Sequence, residues 1–194
     1  MRILYTASEA LPYAASGGLA DVAGSLPAAL CKAGHDCRVV LPLYKSIKPE
    51  LRKDLRFLMN FTVDVGWRKQ YCGVFEGHAN NVTYYLLDNE YYYARDGLYG
   101  FYDDCERFVF LSRAVMELIR HIDWKPQIIN CNDWQTALVP VYYQTYYKYQ
   151  HGYEDIKTVF TIHNIQYQGK YGMDVLNEVM GIPMYHANLL EYDG

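Results

Sequence analysis

No basic run, no apolar stretch long enough to cross a bilayer and no paired-cysteine motif occurs in this chain of 194 residues. Each absence removes a class of function. The 18 Lys and Arg against 22 Asp and Glu leave a net charge of −4 without a basic stripe, so the electrostatic footprint of a nucleic-acid binder is missing. No segment approaches the ~20 apolar residues that a membrane span needs. Arg2 leads directly into a strand and a turn, not into the apolar core and small-residue cleavage site of a signal peptide. The five cysteines, Cys31, Cys37, Cys72, Cys105 and Cys131, are scattered, lack C-x-x-C spacing and have no histidine pair beside them. They read as reduced, mostly buried thiols, not as a zinc site or a disulfide framework. Together these features predict a soluble cytoplasmic protein that binds neither nucleic acid nor membrane. No repeat, low-complexity tract or flexible linker divides the chain, and its length suits a single domain.

What the chain has in excess is tyrosine, 21 residues, clustered at Tyr91-Tyr92-Tyr93 and from Tyr142 to Tyr149. Aromatic side chains with a polar tip suit sugar clefts, and they suit half-buried surfaces at least as well. The hydrophobic pattern alternates strand and helix. Ile3 to Ala7 reads as a buried strand; Leu19, Val22, Ala23, Leu26 and Leu30 recur at helical spacing, with Pro27 inside the helix and Gly34 as its stop. Cys37 to Leu41 is a second strand, closed by Pro42. From Leu55 to Asp88 the period changes to two, which predicts antiparallel strands joined near Gly66-Trp67 and at Ala79-Asn80-Asn81, a β-hairpin insertion. A helix from Asp103 to His121, a strand from Gln127 to Cys131, a helix from Trp134 to about Tyr147 and a strand from Thr158 to Ile162 complete the series. The fold class expected is α/β, a Rossmann-like doubly wound and mostly parallel sheet.

Three polar groups fall at predicted strand ends, where side chains of a parallel sheet converge on one crevice. The first is Ser16-Gly17-Gly18-Leu19-Ala20-Asp21, a glycine turn opening a helix. Unpaired helix N–H groups and the absence of a Cβ there suit a phosphate oxygen, although the spacing fits neither G-x-G-x-x-G nor the P-loop. The second is Asn130-Cys131-Asn132-Asp133-Trp134, and the third His163-Asn164. Simpler readings stand beside each. Asp133 suits a helix N-cap, Asp21 the positive end of a helix dipole, and His163-Asn164 the satisfaction of loop backbone. Asp103, Asp104 and Glu106 read as dipole partners of the helix that they open.

Taken in order, Ser8-Glu9 before Pro12, Gly17-Gly18-Leu19-Ala20-Asp21-Val22 with Leu26-Pro27, Gly97-Leu98-Tyr99-Gly100, Asp104 to Phe108 with Ser112-Arg113-Ala114, Asn132-Asp133-Trp134-Gln135-Thr136-Ala137-Leu138, and Thr161-Ile162-His163-Asn164 with Tyr167-Gln168-Gly169 closely resemble bacterial glycogen synthases and plant starch synthases. The resemblance covers essentially all of the chain. It implies the N-terminal Rossmann-like domain, residues 1–194, of a two-domain GT-B glycosyltransferase, cut before its end, with the second nucleotide-binding domain absent. The implied reaction is retaining transfer of glucose from ADP-glucose to the non-reducing end of an α-1,4-glucan such as glycogen, with no cofactor and no metal.

By the same resemblance His163 is the catalytic-site residue beside the transferred glucose. Ala15, Ser16, Gly17, Gly18 and Asp21 meet the donor, and Glu9, Tyr99, Asp133, Trp134 and Asn164 line the sugar and acceptor cleft. The family's lysine two residues before the first glycine is Ala15 here, and Asn130 and Asn132 stand where many relatives carry histidine. Because a second domain supplies groups that hold the diphosphate, the chain is expected to transfer no glucose alone. Two other readings stay open: a related glycosyltransferase with another nucleotide-sugar donor, motivated by Ala15, and a non-catalytic glucan-binding module, motivated by the tyrosines and Trp134.

Overall fold

The computed structural model describes residues 1–191; the chain's last three residues, from the end read above as a cut, lie outside the described residues. In chain order the elements are β1 (Arg2–Thr6), α1 (Gly18–Lys32), β2 (Asp36–Pro42), α2 (Pro49–Lys53), β3 (Arg56–Val65), β4 (Arg68–Ala79), β5 (Val82–Asp88), α3 (Glu90–Tyr93), α4 (Asp104–His121), β6 (Ile128–Asn132), α5 (Leu138–Tyr142), β7 (Lys157–Thr161) and α6 (Val175–Glu178). One seven-stranded sheet runs β3-β4-β5-β2-β1-β6-β7.

The strands β5, β2, β1, β6 and β7 are mutually parallel. Numbered among themselves they have the order 3-2-1-4-5 of the doubly wound fold, and the order reverses between β1 and β6. α1 packs on β2 and β5, and α4 packs with α5 and on β3; the right-handed rule for parallel crossovers sets α1 and the α4–α5 pair on opposite faces. Loops after β1 and β6 therefore flank one crevice.

Only part of the 55–88 segment is an insertion. β5 pairs antiparallel with β4 but parallel with β2, so it is the third core strand, and β3–β4 is the antiparallel extension. β5 is buried on both faces and does not share the alternation of β3, so grouping it with the antiparallel segment missed its parallel partner. Both expected turns are present, with Gly66 at φ +56° and Asn80 and Asn81 at +50° and +62°, left-handed values suited to tight hairpins.

Three further expectations are corrected. The buried stripe of α1 is Leu19, Ala20, Ala23, Gly24 and Pro27, while Leu26 is exposed. The small residues let α1 lie against the loop after β1: a Cβ on Gly24 would sit 2.8 Å from Leu11 Cβ. The helix expected from Trp134 to about Tyr147 is a 3-10 turn (Trp134–Thr136), then α5, then a π turn (Tyr143–Tyr147). Pro140 has no N–H to give one turn back, which breaks the helical ladder near its start.

The tyrosines divide between core and surface, with Tyr71, Tyr91, Tyr102, Tyr149, Tyr167, Tyr171 and Tyr185 exposed. Tyr5, Tyr44, Tyr84, Tyr85, Tyr92, Tyr93, Tyr142 and Tyr153 are among the largest fully buried side chains. Many keep a hydroxyl partner, such as Tyr93 Oη to the Arg107 carbonyl at 3.1 Å and Tyr153 Oη to the Met116 carbonyl at 2.6 Å. The five cysteines are all free, four of them buried. Among the described residues no helix is long and apolar enough to cross a membrane.

Candidate functional site

β1 ends at Thr6, and the chain passes through the buried Ser8 and Glu9 before turning back to Gly17, which precedes the first turn of α1. The Ser16 backbone N–H donates to the Glu9 carboxylate, tying the glycine turn to the end of β1. Burial pushes the Glu9 carboxyl up from its ordinary value, and the Asp133 charge adds to this, against hydrogen bonds from Ser16 and Gly17. Gly17 is extended, with φ −162° and ψ −167°, so its backbone does not require glycine. A Cβ on Gly17 would meet only Glu9 Oε1, at 3.9 Å, and one on Gly18 would meet nothing within 4 Å. The space a side chain would fill at either glycine is the crevice itself.

At the end of β6, Asp133 has φ +56° and ψ 178°, a conformation that costs a non-glycine residue about 1–3 kcal/mol and concentrates at functional sites. The capping reading fails: its side chain makes no cap bond to the 3-10 turn that follows. Oδ1 accepts the backbone N–H of His163 at 2.7 Å and that of Asn164 at 3.2 Å instead, so the carboxylate holds the exit of β7. The His163 ring does not serve loop backbone either. Its Nε2 lies 2.8 Å from Asn132 Oδ1. Asn164 does fulfil the simpler reading in part, Oδ1 accepting Gln166 N–H at 3.1 Å.

A cleft of about 890 Å³ opens over the reversal between β1 and β6. It gathers Glu9, Ser16, Gly17, Gly18, Tyr99, Asp133, Trp134, His163 and Asn164, nine of the residues singled out from sequence. Ala15 and Asp21 are exposed beside the turn and are not among its lining. Leu19, Val22, Gly100, Asp104, Gln135 and Tyr167 line it as well. Of these, Asp104 does stand in the first turn of α4, as its reading as a dipole partner requires, and also lines the cleft; Gly100, Asp104 and Tyr167 belong to the quoted motifs but were not singled out as site residues.

The wall bearing Tyr99 is held from behind. Arg107, fully buried, donates Nη1 to the Leu98 carbonyl at 3.0 Å and to Asp104 Oδ1 at 2.6 Å, and Asp104 Oδ2 accepts the Gly100 N–H at 2.8 Å. Asp103 meets Arg95 through both oxygens, and Glu106 accepts the Tyr92 hydroxyl, so all three acids at the start of α4 have side-chain partners beyond the helix dipole. Tyr99 Oη lies 2.7 Å from Ser8 Oγ. Trp134 stands edge-on to Phe108, 5.1 Å between ring centres, and lines both the cleft and a second cavity of about 570 Å³.

The lining carries three carboxylates, Glu9, Asp104 and Asp133, one imidazole and no lysine or arginine among the described residues. Among the described residues no cluster of three His, Cys, Asp or Glu could hold a metal ion. The arrangement suits a neutral polyhydroxyl ligand against Tyr99 and Trp134. Among the described residues its place for an anion is the start of α1.

Comparison with known proteins follows the same lines. A family model for the starch synthase catalytic domain matches residues 2–194. A glycogen synthase of Clostridium botulinum (strain Alaska E43 / Type E3) is 53% identical over 182 residues, 93% of this chain and 38% of that protein. One from Clostridium beijerinckii is 51% identical over 196 residues, 100% of this chain and 41% of its own length. The chain thus spans about two fifths of these relatives. Among solved structures, the catalytic domain of starch synthase IV from Arabidopsis thaliana, bound to ADP and acarbose, superposes with a TM-score of 0.89 at 30% identity, over 96% of this chain and 38% of that one.

Proposed function

The chain belongs to the starch synthase catalytic domain family, and from that premise we propose that it forms the first Rossmann-like domain of a retaining glucosyltransferase acting from ADP-glucose on the non-reducing end of an α-1,4-glucan. The observation that carries this reading is the Gly17-Gly18 pair. Neither backbone conformation nor packing demands glycine at either position, and both face the cleft at the start of α1. A ligand that must approach the amides closely is the remaining reason for two hydrogens there.

In this reading the α1 amides meet the charge that develops on the leaving diphosphate, and Tyr99 and Trp134 flank the sugars. His163 and Asn164, held by Asp133, lie beside the reacting glucose. Glu9 keeps the glycine turn at its distance, and Ala15 and Asp21 act from the rim. A described lining with three carboxylates and no lysine or arginine fits cations for the diphosphate supplied by a second domain, so residues 1–194 alone transfer no glucose. Free thiols support a cytoplasmic location.

A second reading, another nucleotide-sugar donor, is favoured by Ala15, whose side chain offers a phosphate no charge. Competition by UDP-glucose against ADP-glucose separates the two. The test of the glycine pair is Gly18→Ala in this chain joined to the remaining length of the C. botulinum relative. KM for ADP-glucose should rise about tenfold or more while the melting temperature stays the same or rises slightly, as Gly→Ala at a compatible position stabilises by about 0.4–1 kcal/mol. An unchanged KM would remove the support that the glycines give.

A further inference from the structure

Asn132 is fully buried at the end of β6, and nothing in the proposed reaction uses it directly. Its backbone is pinned by Thr136: Asn132 N–H donates to Thr136 Oγ1 at 2.6 Å, and that hydroxyl also lies 2.9 Å from the Asn132 carbonyl. One end of its amide lies 2.9 Å from the Thr6 carbonyl oxygen and 2.8 Å from Asn130 Oδ1. A backbone carbonyl can only accept, so the amide atom facing Thr6 is the NH2 group. The atom turned to His163 is then the oxygen Oδ1, which can only accept, and the proton in the 2.8 Å contact must come from the ring's Nε2.

We infer that Asn132 is a positioning residue that fixes the tautomer of His163, through the chain Thr6 carbonyl, Asn132 amide, His163 Nε2–H, leaving the Nδ1 lone pair as the ring's acceptor for a ligand hydroxyl in the cleft. Asp133, the next residue, fixes the same histidine by its backbone N–H. The last residue of β6 and the one after it thus set ring and main chain together. An amide partner cannot take up a proton or carry charge, so His163 acts as a hydrogen-bond acceptor and not as one half of a proton relay. The assignment of a ligand hydroxyl rests on the proposed function; the tautomer does not.

Long-range proton–nitrogen NMR on the histidine-labelled 194-residue chain reads the tautomer directly, at about pH 8, where an ordinary imidazole is neutral. His163→Gln identifies its signals among the six histidines. The native ring should show a protonated Nε2 and a bare Nδ1. Asn132→Ala should lose this in favour of averaged nitrogens. A native Nδ1–H pattern or an averaged ring overturns the inference, as does an Asn132→Ala protein, folded by circular dichroism, with the native pattern. Should that variant fail to fold, the native spectrum alone decides. The native pattern in a protein that transfers no glucose in any form would support the tautomer and sink the functional reading.

Discussion

Replacing Gly169 with alanine should drive Trp134 out of the wall of the cleft. Gly169 has φ +61°, and a Cβ there would lie 2.4 Å from Trp134 Cε3, 2.7 Å from Cδ2 and 3.0 Å from Cγ. These are atoms of a rigid ring. The ring cannot retreat freely, because Phe108 stands against it at 5.1 Å and Tyr171 at 6.0 Å. The left-handed backbone costs an alanine about 1–2 kcal/mol, and overpacking costs about 1–3 kcal/mol more. For a domain of this size each kcal/mol moves the melting temperature by about 2–4 °C, so a fall of roughly 4–20 °C is expected. The control is Gly34→Ala, at φ +87° with nothing within 4 Å, which carries the backbone cost alone. Urea unfolding of both variants, followed by tryptophan fluorescence, measures the difference between them. Equal losses for Gly169→Ala and Gly34→Ala would show that Trp134 is not wedged and would refute the packing argument.

Two other perturbations follow from buried charge. Asp104→Ala leaves the fully buried Arg107 guanidinium without its anion and Gly100 N–H without an acceptor, and should cost about 3 kcal/mol or more in urea unfolding. Asp103→Ala, which frees the partly exposed Arg95, should cost clearly less. The pH dependence of stability should carry two opposed limbs. The raised Glu9 carboxyl binds its proton more tightly folded than unfolded, so its contribution falls as pH rises from the unfolded value, about 4.3, through the folded one. Asp103, which burial pushes up but the Arg95 hydrogen bonds hold below its ordinary value overall, gives stability above the unfolded value that is lost as pH falls through the folded one. Urea midpoints from pH 3 to 7 should therefore lose their falling limb in Glu9→Gln and keep the acid limb; an unaltered profile would contradict the Glu9 assignment.

Strand and helix alternation was legible in β1, β2 and β6, because their short apolar runs are bounded by polar residues or by breakers such as Gly34, Pro42 and Pro126. β5 was harder: its two edges have partners of opposite direction, and a linear pattern shows only faces, not edges. The site was legible as three loops after three strands, since chain order and parallel pairing bring those ends together. What it did not reveal was the direction of each side chain. Asp133 reads as a cap from its place before a helical segment, and only the left-handed backbone turns its carboxylate toward His163. Asp104 similarly reads as a dipole partner until Arg107, one turn later, is seen fully buried against it.

The central claim is tested most directly by transfer of labelled glucose into glycogen. This chain should be assayed alone and joined to the remaining length of the C. botulinum relative, with ADP-glucose as donor. The joined protein should incorporate glucose and the chain alone should not. A folded joined protein that binds glycogen but incorporates no glucose from ADP-glucose would contradict it.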